Sequence, residues 1–230
     1  MASMSCDVRL QARNGFYWAI GFLLVVYAVV ITRLPAFDWG IVIPALVLGN
    51  LAMATFYFIG GLVLLEKGEG TLEALVVTPL RPWEYLTSKV ATLIGLSLVE
   101  NVAIVALACG RSFRPLPLVL GIVLASAIYC LIGFISVARY DSINEFLFPS
   151  MLVVAALSLP ILHYAGLWTT PLMYLHPLQA PLVILEGATR EIATWQWVYG
   201  VVFALASIGL LGRSSVRSFR RFVVERPGAR

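Results

Sequence analysis

The chain has 230 residues, of which 60% are hydrophobic and only 12% charged, with a formal net charge of +4. Soluble domains carry about 25% charged residues, and a mean hydropathy of +0.92 leaves too little polar side chain to clothe a water-soluble globule. Disorder is excluded on the same ground. A single anchor with a soluble head is excluded too, because apolar stretches run the length of the chain.

A membrane helix needs about 20 mostly apolar residues and tolerates Asp, Glu, Lys and Arg poorly, so gaps between charges mark the spans. Residues 7–18 read as a short amphipathic entry helix. Arg9, Arg13, Phe16 and Tyr17 fall on one stripe suited to the inner headgroup level. The first span follows over 14–32. It is long enough to cross and lacks a small-residue cleavage site, so it does not read as a cleavable signal. The second span covers 40–65. The third, 89–110, is interrupted only by Glu100, and the fourth covers 115–138. Ser142 and Glu145 make a capping-box pattern that starts a fifth span over 144–166. The next stretch carries Pro171, Pro177 and Pro181. Residues 171–186 are therefore too broken for a crossing and read as a re-entrant or interfacial element, shielded by protein. A sixth span covers 193–212, and the basic run from Arg213 reads as a surface helix or a plain positive tail. Strand spans would alternate over about 10 residues, and no such alternation occurs. The fold expected is all-α, six transmembrane helices in one domain over 1–230.

An even number of spans puts both termini on one side, and Lys and Arg choose it. With the termini inside, twelve of the sixteen cations are cytoplasmic, leaving Arg33, Arg111, Arg114 and Arg190 outside. The expected location is the plasma (inner) membrane, with lipid as the surrounding partner. The positive charge is inner-leaflet attraction, not a nucleic-acid footprint. Cys6, Cys109 and Cys130 have no ligand spacing, and His163 and His176 have no acids at ligand spacing, so no metal site is expected.

The most informative segment is the connection over 66–88. Gly68 and Gly70 break the second span, and Leu72, Leu75 and Val76 share one face of about two helical turns over 71–77. Thr78 precedes Pro79, which ends those turns, and Pro82 suits the first position of the next helix. A short amphipathic helix held between two membrane helices can dock in a partner's groove or lie as a tight solvated loop. Gly68-Glu69-Gly70 lacks the Lys-Ser/Thr of a phosphate loop, so no ATPase is expected on this chain. The wording Glu66-Lys-Gly-Glu-Gly-Thr-Leu-Glu-Ala-Leu-Val-Val-Thr-Pro-Leu80 resembles the cytoplasmic loop of type-2 ABC exporter permeases. Gly70, Thr71, Leu72, Glu73, Leu75, Thr78, Pro79 and Leu80 stand at matching positions, as does Lys89 at the start of the next span. With Tyr-Leu-His-Pro at 174–177, the chain looks most like the fluoroquinolone export permease subgroup.

The resemblance implies a coupling helix at 71–77, with Glu66, Gly70, Thr71, Leu72, Glu73, Leu75, Thr78 and Pro79 as ATPase-coupling residues and none of them catalytic. It implies an ABC ATPase partner and a second permease copy or sibling, in a homodimer or heterodimer. No cofactor would bind this chain; ATP and Mg would sit on the partner ATPase. The substrate implied is an amphiphilic drug or lipid-like molecule moved outward.

Within the bilayer, Glu100 lies eleven residues past Lys89, roughly 16 Å in. Asn50 falls near the same depth and Asn101 is adjacent. An intramembrane acid is a functional candidate, and the alternative is a protonated structural acid. Small residues at Ala45/Gly49 and Gly121/Ala125 allow close helix approach or a subunit seam. Phe56, Tyr57 and Phe58 suit packing or a drug-binding wall. Two other classes compete with the permease reading: a membrane-embedded enzyme, for which no catalytic constellation is visible, and a non-catalytic assembly or immunity protein, which needs no docking helix.

Overall fold

A computed structural model describes residues 2–33, 39–70, 82–110, 112–219 and 221. The helices, in chain order, are α1 (Ala2–Arg13), α2 (Phe16–Arg33), α3 (Trp39–Leu51), a π-helical stretch (Ala52–Tyr57), α4 (Phe58–Gly68), α5 (Pro82–Cys109), α6 (Pro115–Val137), α7 (Ile143–Leu157), α8 (Leu159–Tyr164), a 3-10 turn (Pro171–Leu175), α9 (Gln179–Glu186) and α10 (Thr194–Phe219). No strand occurs among the described residues. Six helical stretches are long and apolar enough to cross a membrane: α2, α3 through α4, α5, α6, α7 through α8, and α10. The protein is an all-α, multi-pass membrane protein.

The chain departs from the expected outline in two places. The entry helix and the first span do not run on as one helix over 7–18. They are separate, with Gly15 at φ +79° between them, a conformation glycine adopts without a Cβ penalty. The third membrane helix begins at Pro82, as its sequence suits, but Lys89 lies two turns inside that helix and not at its start. Pro82 supplies no N–H where none has a partner, and Glu84 lies in the positive first turn. At the fifth span, the Ser142 hydroxyl accepts the Glu145 N–H at 3.3 Å, the capping arrangement its sequence encodes.

The fourth span, α6, is the most enclosed, while α2 and α10 are the most open. Glycines set how closely α6 is approached. A Cβ on Gly133 would stand 2.8 Å from Ile59 and 2.9 Å from the Phe56 carbonyl. Gly121 admits Leu185 of α9 in the same way, and Gly200 of α10 admits Ile184. The proline-broken segment is thus wedged between α6 and α10, with Gln179 through Leu185 all buried. Gly121 thus serves close packing inside this chain. Phe56 is fully buried and stacks on Phe146 at 6.0 Å, and Phe58 packs edge-on to Phe16 at 4.6 Å. Both rings pack against neighbouring helices, and Phe58 with Tyr57 also lines a cavity beside Gly15 and Phe16. Phe219, at the end of α10, meets Tyr85 at 5.1 Å, so α10 ends beside the start of α5.

Candidate functional site

The first polar site lies at the roots of the 66–88 connection. Tyr85, Ser88, Lys89 and Thr92 are spaced i, i+3, i+4 and i+7 and so share one stripe of α5. Asp7 and Gln11 lie one turn apart on the facing side of α1. Lys89 is fully buried, and its Nζ stands 2.9 Å from Asp7 Oδ1 and 2.6 Å from Glu66 Oε1. The Tyr85 hydroxyl donates to Glu66 Oε2 at 2.5 Å, and the Ser88 hydroxyl donates to Asp7 Oδ2. The Tyr85 ring also lies 4.7 Å from the ammonium. One turn on, the Gln11 amide donates to Thr92 at 3.0 Å. At the surface, Arg13 closes on Glu69 at 2.5 Å.

Desolvating two carboxylates and an ammonium is costly unless every lone pair and proton finds a partner. Here each carboxylate oxygen receives a donor. The geometry therefore fixes three elements to one another: the entry helix, the end of α4 and the start of α5. Glu66 and Lys89 bracket the connection between the second and third spans, so their 2.6 Å contact closes its base.

Of the expected coupling residues, Glu66 sits in this network and Gly70 follows α4 with φ +68°. Thr71, Leu72, Glu73, Leu75, Thr78 and Pro79, with the helix expected over 71–77, lie outside the described residues. Asp7, Tyr85 and Ser88 are site residues that the sequence reading passes over. A signal was present, since Asp7 is the sole acid in the first 37 residues.

The second site lies deep in the membrane helices. Glu100, Asn50 and Asn101 are brought together as their depths suggest. The Asn50 amide donates to Asn101 Oδ1 at 3.2 Å, the Asn101 amide donates to the Ser97 carbonyl at 2.8 Å, and the Tyr27 hydroxyl reaches Asn50 Oδ1 at 3.4 Å. Ser97 and Ser126 join α5 to α6 at 3.0 Å. Glu100 has no exposure within the protomer. The Asn50 amide lies beside it, yet neither carboxyl oxygen accepts a hydrogen bond of regular geometry from the described residues.

At the other end of the bundle, Arg190 donates to the Tyr164 hydroxyl at 2.7 Å, which donates in turn to the Ile41 carbonyl. Burial raises the Glu186 carboxyl above its usual value, opposed by Arg190 and His163. His163 faces the Trp168 carbonyl and Tyr174. His176 Nδ1 accepts the Leu178 N–H at 3.2 Å. These are packing and capping roles. Among the described residues no three His, Cys, Asp or Glu side chains gather as a metal site.

Six helices long and apolar enough to cross a membrane, with two buried polar networks between them, define a polytopic integral membrane protein. The sequence matches the fluoroquinolones export permease protein family over residues 1–227, and the chain belongs to that family. Two relatives, both called fluoroquinolones export permease protein, come from Mycobacterium tuberculosis strains CDC 1551 / Oshkosh and ATCC 25618 / H37Rv. Each is 35% identical over 229 residues, covering 98% of this chain and 97% of the relative.

Proposed function

We propose that this chain is the membrane-spanning subunit of an ABC exporter that moves an amphiphilic drug of the fluoroquinolone kind out of the cell. It works with a separate ATPase and a second permease copy or sibling, in the plasma membrane, with both termini cytoplasmic. ATP and Mg act on the partner. What supports the substrate class is the family. What supports the coupling is the Lys89 bridge to Asp7 and Glu66, which leaves the 66–88 connection no slack at its base. A push delivered to residues 71–79 by an ATPase passes through Glu66 and Lys89 into α4, α5 and the entry helix together. Thr71, Leu72, Glu73 and Leu75 are the contact residues of this reading, with Thr78 and Pro79 ending the contact helix.

The test is purification of the tagged full-length chain from its native membrane. An ABC ATPase is expected to co-purify, and Glu73→Lys is expected to release it while leaving the permease folded. An intact chain that brings no ATPase defeats the proposal.

A further inference from the structure

Glu100 is the one described charged group held at mid-membrane depth, and it has no cation. The donor beside it, the Asn50 amide, is shared with Asn101, while Tyr27 and Asn101 donate to Asn50 and to the Ser97 carbonyl. A buried carboxyl with no counter-charge and only a shared amide beside it is costly, whereas a cation brought to it recovers that cost. Lys89, the other buried charge of α5, is held by Asp7 and Glu66, so no cation is supplied at this depth by the described residues.

The surroundings suit entry from the bilayer. The helix covering the site, α2, buries only Phe16, Ile20 and Ile31. Its contribution to the site is half-buried Tyr27, held to Asn50 by a long 3.4 Å contact. On the second span, a π-helical stretch begins two residues after Asn50, at Ala52. Such stretches interrupt the regular hydrogen-bond ladder and recur at functional sites. The carboxyl therefore lies between a thinly attached helix and one whose register is already broken.

We propose that Glu100 is the subsite for the protonated amine of an amphiphilic cation, with Asn50 and Asn101 as polar neighbours of the bound ammonium and Tyr27 as the side chain that moves aside. This rests on the export reading for its biological sense, but its test needs no ATPase.

The full chain in lipid nanodiscs is titrated by equilibrium dialysis with norfloxacin, a fluoroquinolone with a basic piperazine, and with nalidixic acid, a quinolone without a basic amine. The wild type is expected to favour norfloxacin. Glu100→Gln is expected to bind norfloxacin roughly tenfold or more weakly, the loss of one charge-assisted contact, with nalidixic acid unchanged. Glu100→Asp keeps the preference. As a check that needs no variant, dodecyldimethylamine is expected to compete with norfloxacin on the wild type, and dodecanol is not. Equal loss of both quinolones in Glu100→Gln, no loss of either, or competition that ignores the amine overturns the proposal. So does a wild type that shows no preference for norfloxacin. An amine preference in a chain that recruits no ATPase defeats the transport reading alone; a recruited ATPase with no amine preference defeats this one alone.

Discussion

Lys89 shows how a residue's role departs from its sequence cue. In sequence, a lysine at the edge of an apolar stretch reads as the mouth of a span, because lysines near helix ends reach for the headgroups. In the protein it is fully buried, with carboxylates from positions 7 and 66 on its ammonium. Nothing local marks those partners, since their contact depends on how α1 folds back. Glu100, Asn50 and Asn101 were legible because depth alone, counted at 1.5 Å per residue, aligns them. Lys89→Met leaves both carboxylates buried and unpaired, so it is expected to destabilise the chain by about 3–5 kcal/mol. The triple change with Asp7→Asn and Glu66→Gln should recover most of that, as read by thermal unfolding in detergent.

His176 carries a second prediction at this scale. Burial lowers its pKa below the ordinary 6.5, partly offset by the Ala156 backbone. The folded state thus favours the neutral ring, whose Nδ1 accepts the Leu178 N–H. That stability is present at neutral pH and is lost as pH falls through 6.5 towards the lower folded value. Amide exchange at Leu178, corrected for intrinsic rate, should accelerate across that interval. His176→Gln, which keeps an acceptor at every pH, should flatten the response.

At the level of elements, the spans were legible because charge is so costly in hydrocarbon that its absence outlines each helix. The caps at Pro82 and Ser142 were legible from local chemistry. The π-helical stretch at Ala52–Tyr57 was not, because its cause is tertiary. It lies where Phe56 and Ile59 crowd Gly133, and no residue type announces it. Nor did sequence show that α9 is buried between α6 and α10, since its prolines speak only of a broken helix. Gly133→Val is expected to force the second and fourth spans apart and cost about 1–3 kcal/mol, the usual penalty of overpacking. Gly95→Ala, at a position with nothing within 4 Å, should be neutral or slightly stabilising by helix propensity. Thermal melts of the two variants side by side make the comparison.

Across the whole molecule, composition and the distribution of charge yielded the class and the span count, while the polar sites needed coordinates. Large apolar side chains remain exposed along α2, α7 and α10, Trp18, Phe22, Phe148, Leu152 and Val202 among them. That is the dress of helices that meet lipid or another membrane chain. The facing sides of α3, α5 and α6 instead hold the serine, asparagine and glutamate groups, so polarity is kept within the bundle.

The Asp7–Lys89–Glu66 knot also has a schedule. Its three members leave the ribosome far apart in time, and a carboxylate or ammonium left alone in hydrocarbon is several kcal/mol too costly to wait there. Glu66 must therefore linger in headgroup water until α5 arrives, and α1 stays undocked until the same moment. The entry helix is therefore expected to dock only on a chain synthesised through its third span. A cysteine replacing Gln11, which is buried against Thr92 in the finished protein, should react with a water-soluble maleimide in nascent chains halted at residue 81. In chains halted past the third span it should be protected, so the newborn permease reports its own progress at its first helix.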